Sequence, residues 1–150
     1  MNAAMKTLKY ALPILLFLPF AAAAMTAADK ISVRRNGLKA VGHQMDQIEA
    51  LLDQRADPRA AADSIAQMIR FFEGMPALFP PGSGEGETRA RTTIWSDAGG
   101  FATANANMID SLRALEASAN MGDRAALNAA FQQAAATCTA CHRPFRSRSR

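Results

Sequence analysis

Apolar residues recur every three or four positions through most of this chain, and nowhere do β-branched residues alternate with polar ones. That spacing marks helices that each bury one stripe, and it predicts no strands. Over residues 29–54 the stripe is Ile31, Leu38, Val41, Met45, Ile48 and Leu52. Asp57-Pro58 follows, an N-cap acid with proline at the first helical position. It opens a second helix with the stripe Ala61, Ile65, Met68, Ile69 and Phe72, which Gly74 and Pro76 stop. A third helix, from Ser96 or Asp97 to Asn120, turns Phe101, Met108, Leu112 and Leu115 inward. Gly122 and Asp123 then read as its C-cap and as the N-cap of a fourth helix. Leu127, Phe131, Ala134, Cys138, Cys141 and His142 share one face of that helix. The pattern predicts an all-α, antiparallel four-helix bundle, with alanine-rich faces that leave room for a flat cofactor.

Two segments fall outside the helical pattern. Residues 76–94 form a connection rich in breakers, Pro80-Pro81-Gly82-Ser83-Gly84-Glu85-Gly86, long enough to cross one end of the bundle. At the N-terminus, Lys6 and Lys9 precede an eleven-residue apolar run, Tyr10 to Phe20, and then four alanines. This is the pattern of a secretory signal peptide over residues 1–24, cleaved after Ala24 or as late as Ala28, and it is too short for a membrane span. Two lysines and no acid leave with it, so the net charge of +4 becomes +2. The bundle then occupies residues 25–146 and a basic tail 147–150. The pI of 9.6 reflects a short run of arginines after His142, with no aromatic interleaving over a folded surface, and does not suggest nucleic-acid binding.

The chemistry lies in Cys138-Thr139-Ala140-Cys141-His142, which holds the only two cysteines of the chain. On a helix, positions three and four apart share a face, so one turn presents two thiols and an imidazole together. The thiols can add to two porphyrin vinyl groups, and His142 can reach the iron as the proximal axial ligand. The expected cofactor is one haem c, covalent through Cys138 and Cys141. A disulfide across one helical turn would close almost nothing. A thioredoxin-type pair needs a βαβ setting, and zinc needs four converging ligands. An exported chain fits haem attachment outside the cytoplasm, which places the protein in a bacterial periplasm. No catalytic triad, paired carboxylates or phosphate loop argues for an enzyme.

Nothing in the eight residues after His142 can ligate iron strongly, so a sixth ligand would come from upstream. Met45 lies two turns beyond Leu38 on the same stripe and reads as core, as does Met108. His43 points away from that stripe and reads as a surface residue. Pro144 predicts a kink or stop in the fourth helix.

The chain resembles the class II c-type cytochromes, and most closely cytochrome c′. The matching features are Arg34, Leu38 and Gly42 at four-residue spacing, Phe79 before Pro80-Pro81-Gly82, Ile94-Trp95-Ser96-Asp97 with Phe101, and Cys138 to His142 with Arg146 beyond. The resemblance implies that Leu38 faces the open side of the iron, leaving it five-coordinate and high-spin. It further implies that Arg34 meets a haem propionate, that Phe79 and Trp95 pack near the ring, and that Arg146 stands beside it. Nitric oxide and carbon monoxide are the implied ligands, with one-electron redox cycling and a possible homodimer. A low-spin, six-coordinate electron carrier with a methionine ligand is the alternative.

Overall fold

The computed structural model describes residues 25–148. The expected signal segment, residues 1–24, lies outside the described residues. Helix α1 spans Ala27–Asp53, α2 Ala62–Gly74, a one-turn α3 Thr93–Ser96, α4 Ala98–Met121 and α5 Arg124–Phe145. The four long helices form the expected bundle, and the described residues contain no strand.

The helix ends follow local chemistry. Thr26 caps α1: its hydroxyl accepts from the Asp29 N–H at 3.1 Å, and the Asp29 carboxylate accepts from the Thr26 N–H at 2.9 Å. Asp57 and Pro58 open a 3-10 turn, Pro58–Ala61, which leads into α2. Gly122, at φ 71°, ends α4 in the left-handed conformation, and Asp123 caps α5 by accepting from the Ala126 N–H at 3.0 Å. Asp97 caps α4 in the same way through Gly100.

The core lies between α2, α4 and α5, where Ile65, Met68, Leu112, Leu115, Leu127 and Ala134 are fully buried. α1 adds Ile31, Val41 and Ile48. It comes so close to α2 that a Cβ at Gly37 would collide with the Phe71 ring. α5 ends one residue after Pro144, as the missing N–H predicts. Phe145 is nonetheless firmly placed, edge-on to Phe101 with ring centroids 5.4 Å apart.

The long connection is more structured than its composition suggests. It begins with a 3-10 turn, Met75–Leu78, and ends in α3. Gly82 and Gly86 take positive φ to fold it back on itself. Its last stretch pairs with the end of α5 through an isolated antiparallel bridge, Ala90 to Arg146.

Candidate haem cleft

A cleft of about 1220 Å³ opens between α1, the connecting loop, α4 and α5. Cys138, Cys141 and His142 line its α5 wall, and Leu38, Val41 and Met45 line its α1 wall. Both thiols are half-buried and unpaired. Burial pushes each thiol above its ordinary pKa, and at Cys141 a charge on Cys138 adds to the effect. These are protonated thiols, not the activated thiolates of a redox or nucleophilic pair. His142 is pushed the other way, first by burial and then by the positive charge of Arg89, so its imidazole is held neutral and free to ligate a metal.

The remaining site residues divide into those on the cleft and those behind it. Leu38 is 38% exposed, and its exposed surface faces the cleft. Phe79 and Arg146 also line the cleft. Trp95 does not: its indole N–H donates to the carbonyls of Phe79 at 3.0 Å and Pro80 at 3.2 Å, and its ring packs under Gly84. It therefore holds the loop from behind. Met108 is buried core, with its sulfur 3.7 Å from Cys138 Sγ, beside the attachment point. His43 is exposed and stands off the cleft.

Arg34 lines the cleft from α1 and is 2% exposed, and no carboxylate among the described residues pairs with its guanidinium. One terminal nitrogen donates to the Leu78 carbonyl at 3.0 Å and Ser83 Oγ at 2.9 Å. The other donates to the Ser83 carbonyl at 2.6 Å and Thr88 Oγ1 at 2.7 Å. Those four bonds use all the donors of the two terminal nitrogens. The guanidinium also lies 4.4 Å from the centre of the Phe79 ring. The loop therefore folds around Arg34 and is its partner.

Two cleft residues escaped the sequence reading. Asn105 is a buried polar residue on the apolar stripe of α4. Its side-chain N–H donates to the Phe72 carbonyl at 3.1 Å, while its Oδ1 has no partner among the described residues. Its place between Phe101 and Met108 was the available signal. Arg89 lies in the loop, where spacing carries no information about direction.

The donor set fits haem c. Two protonated thiols and a neutral imidazole occupy one turn of one wall, an apolar side chain faces the cleft from the other, and cations stand at the rim. The cytochrome c′ family matches residues 29–146. The chain belongs to the cytochrome c′ family. Cytochrome c′ of Rhodospirillum rubrum is 35% identical over 118 residues, covering 78% of this chain and 76% of the relative. Among solved structures, cytochrome c′ from Thermochromatium tepidum aligns with a TM-score of 0.77 at 27% identity, covering 84% of this chain and 100% of that one. The nitric oxide complex of a leucine-to-alanine mutant of cytochrome c prime from Alcaligenes xylosoxidans aligns at 0.76 and 26%, covering 85% and 100%. As a cytochrome c′, the protein carries a covalently attached haem c, and Cys138 and Cys141 are the cysteines of its attachment motif. No helix among the described residues is long and apolar enough to cross a membrane.

Proposed function

We propose that this cytochrome c′ is a periplasmic haem protein with His142 as sole strong axial ligand, binding nitric oxide or carbon monoxide and cycling one electron. When bound, the haem supplies an iron that changes valence by one electron and takes a small diatomic ligand. The chain's own residues decide which ligand. Leu38 facing the cleft opposite the α5 wall is the observation that carries the reading. It can neither coordinate nor donate a hydrogen bond, and its bulk crowds an entering molecule. Nitric oxide binds iron strongly without a hydrogen bond, whereas dioxygen gains most from one. His142 would hold the metal from α5, its aim set by the helical turn it shares with the two attachment cysteines. Arg146 stands at the same rim as the nearest polar group on that side by resemblance.

Two variants of one relative support the ligand class. Nitric oxide is bound in the Alcaligenes leucine-to-alanine mutant, and carbon monoxide in a leucine-to-glycine variant of the same cytochrome. Another cytochrome c′ shows ligand-controlled dimer dissociation, which motivates a homodimer here too.

Export rests on the N-terminal pattern, and the fold favours the earlier cleavage. Cutting after Ala28 would remove Thr26 and with it the α1 capping box, whereas cutting after Ala24 leaves it whole. Visible and paramagnetic resonance spectra of the ferric and ferrous holoprotein test the central reading, with high-spin states expected in both. A low-spin spectrum with a methionine-to-iron charge-transfer band that vanishes in Met45→Leu would replace it with the six-coordinate alternative.

A further inference from the structure

At the mouth of the cleft, two segments fifty residues apart are stapled together. The Arg91 N–H donates to the Phe145 carbonyl at 3.0 Å, and the Ser147 N–H to the Arg89 carbonyl at 2.8 Å. The Arg91 guanidinium donates to the Arg143 carbonyl at 3.1 Å, and the Ser147 hydroxyl to the Arg89 carbonyl at 3.2 Å. This pairing brings Arg89 and Arg146, which line the cleft, next to Arg91 and Arg143, whose guanidinium and carbonyl are hydrogen-bonded beside it, and the four form one basic rim. It also holds Ser147 on the fold rather than in a free tail.

Three properties distinguish the rim from an ordinary solvated charge run. First, its backbone is fixed by those bonds, so the charges are aimed rather than averaged over a disordered end. Second, none of the four arginines forms an ion pair among the described residues. The arginines that do are Arg35 with Glu87, Arg59 with Asp57, and Arg113 with Glu73 and Asp110. Third, the rim adjoins the axial ligand. Arg89, Arg146 and His142 line the same cleft, His142 is exposed there, and the charge of Arg89 is felt at its ring. The acids that line the cleft, Asp46 and Glu49, lie two turns and more beyond Leu38 along α1, and Glu87 is taken by Arg35. Two haem propionates would offset part of the positive charge without reversing it.

We propose that this arginine rim is the docking face for an acidic redox protein, which would exchange one electron with the haem through the side of the cleft lined by Arg89, His142 and Arg146. The inference rests on the redox part of the proposed function. Positive charge fixed around a redox centre raises the encounter rate of an anionic partner, and salt screens that gain.

The test follows oxidation of the reduced holoprotein by ferricyanide, an anion, and by tris(phenanthroline)cobalt(III), a cation. Each takes one electron from ferrous haem, leaving ferric haem and the reduced complex. The ferricyanide rate should fall as ionic strength rises, and the cobalt rate should rise. Arg91→Glu with Arg143→Glu should slow ferricyanide roughly fivefold or more at low salt. Arg59→Glu with Arg113→Glu makes the same change in net charge elsewhere and should alter the rate by less than about twofold. Lysine at positions 91 and 143 should keep the rate, with unchanged visible spectra certifying the haem site in every variant. A polyglutamate peptide should slow ferricyanide with the wild-type protein and not with the Arg91→Glu, Arg143→Glu variant. Equal losses in the two glutamate pairs, or a peptide without effect, would overturn the rim. Failure of both reagents to oxidise the protein would instead overturn the redox reading beneath it.

Discussion

The two walls of the cleft are secured by opposite means. Behind Cys138, Cys141 and His142 stands hydrocarbon: Leu112 and Leu115 from α4 and Leu127 and Ala134 from α5 are all fully buried. Behind Leu38 the wall depends on Ile31, Val41 and Ile48 and on one buried arginine that ties α1 to the loop by four hydrogen bonds. Apolar packing is non-directional and weakens in proportion to the area removed. A guanidinium fork is directional, and its loss leaves several buried acceptors without donors at once. The wall that tethers the cofactor is thus built to tolerate small changes. The wall that carries Leu38 owes its buried polar tie to the loop to Arg34.

The strongest way to separate the walls is to cut the tether. With Cys138→Ala and Cys141→Ala together, haem should extract completely into acidified organic solvent, and the mass of the protein should fall by one haem. Far-ultraviolet circular dichroism should still report a helical bundle if the hydrocarbon behind α5 suffices to build that wall. Loss of the helical signal would mean that the cofactor, rather than the α4–α5 core, organises it.

The next largest effect lies on the other wall. Arg34→Met should cost roughly 3–4 kcal/mol in unfolding free energy, because the carbonyls of Leu78 and Ser83 lose their donor in a buried setting. Leu115→Ala should cost about 3 kcal/mol by cavity formation. The two variants should differ in where the loss appears. Hydrogen exchange should speed up in residues 78–88 for Arg34→Met and across α4 and α5 for Leu115→Ala. Matching exchange profiles would show that the walls are not independently held.

The same contrast explains what could be read in advance. The α5 wall was legible because its chemistry is local: three residues within one turn must share a face, and apolar core positions recur at helical spacing on α4 and α5, with Asn105 the polar member of the α4 stripe. Gly122-Asp123 and Asp57-Pro58 behaved as their cap chemistry predicts. For Arg34 the resemblance implied a haem propionate, and the side chain does line the cleft, but its protein partners could not be read. The acceptors are two backbone carbonyls and two hydroxyls contributed by a loop whose path is set by Gly82 and Gly86, and no periodicity records such a path. The bonds of Trp95 to the Phe79 and Pro80 carbonyls were hidden for the same reason. The pairing of Ala90 with Arg146 joins two irregular segments and left no pattern to find.

Leu38 should show almost the reverse of the Arg34 result. At 38% exposed, it is no part of the closed core, so Leu38→Ala should cost clearly less than Leu115→Ala, about 1 kcal/mol. If its bulk crowds the entering ligand by roughly 1–3 kcal/mol, carbon monoxide affinity should rise tenfold or more in the alanine variant. Equilibrium titration of the ferrous protein measures this. Unchanged affinity would mean that the α1 wall does not limit access.

The smallest effect concerns how α1 begins. Thr26→Ala should cost about 1 kcal/mol, the usual worth of an N-cap hydroxyl. The Asp29 carboxylate is held below the ordinary range chiefly by its bond from the Thr26 side chain, and next by that from the Thr26 backbone N–H. A carboxyl whose pKa is lower in the folded state binds its proton more weakly than in the unfolded chain. Its contribution is therefore present above the unfolded carboxylate pKa and disappears as pH falls through the folded value. Thermal melts of the wild type and of Asp29→Asn should converge below that window and separate above it, while Leu115→Ala keeps a constant offset across the same pH range. The result bears on processing as well. A mature chain that begins at Met25 retains this acid-sensitive cap, whereas one that begins at Asp29 has lost Thr26 and should show no such convergence. The pH profile of the secreted protein, with its N-terminal mass, therefore tests the cleavage site and the anchoring of the ligand-facing wall together.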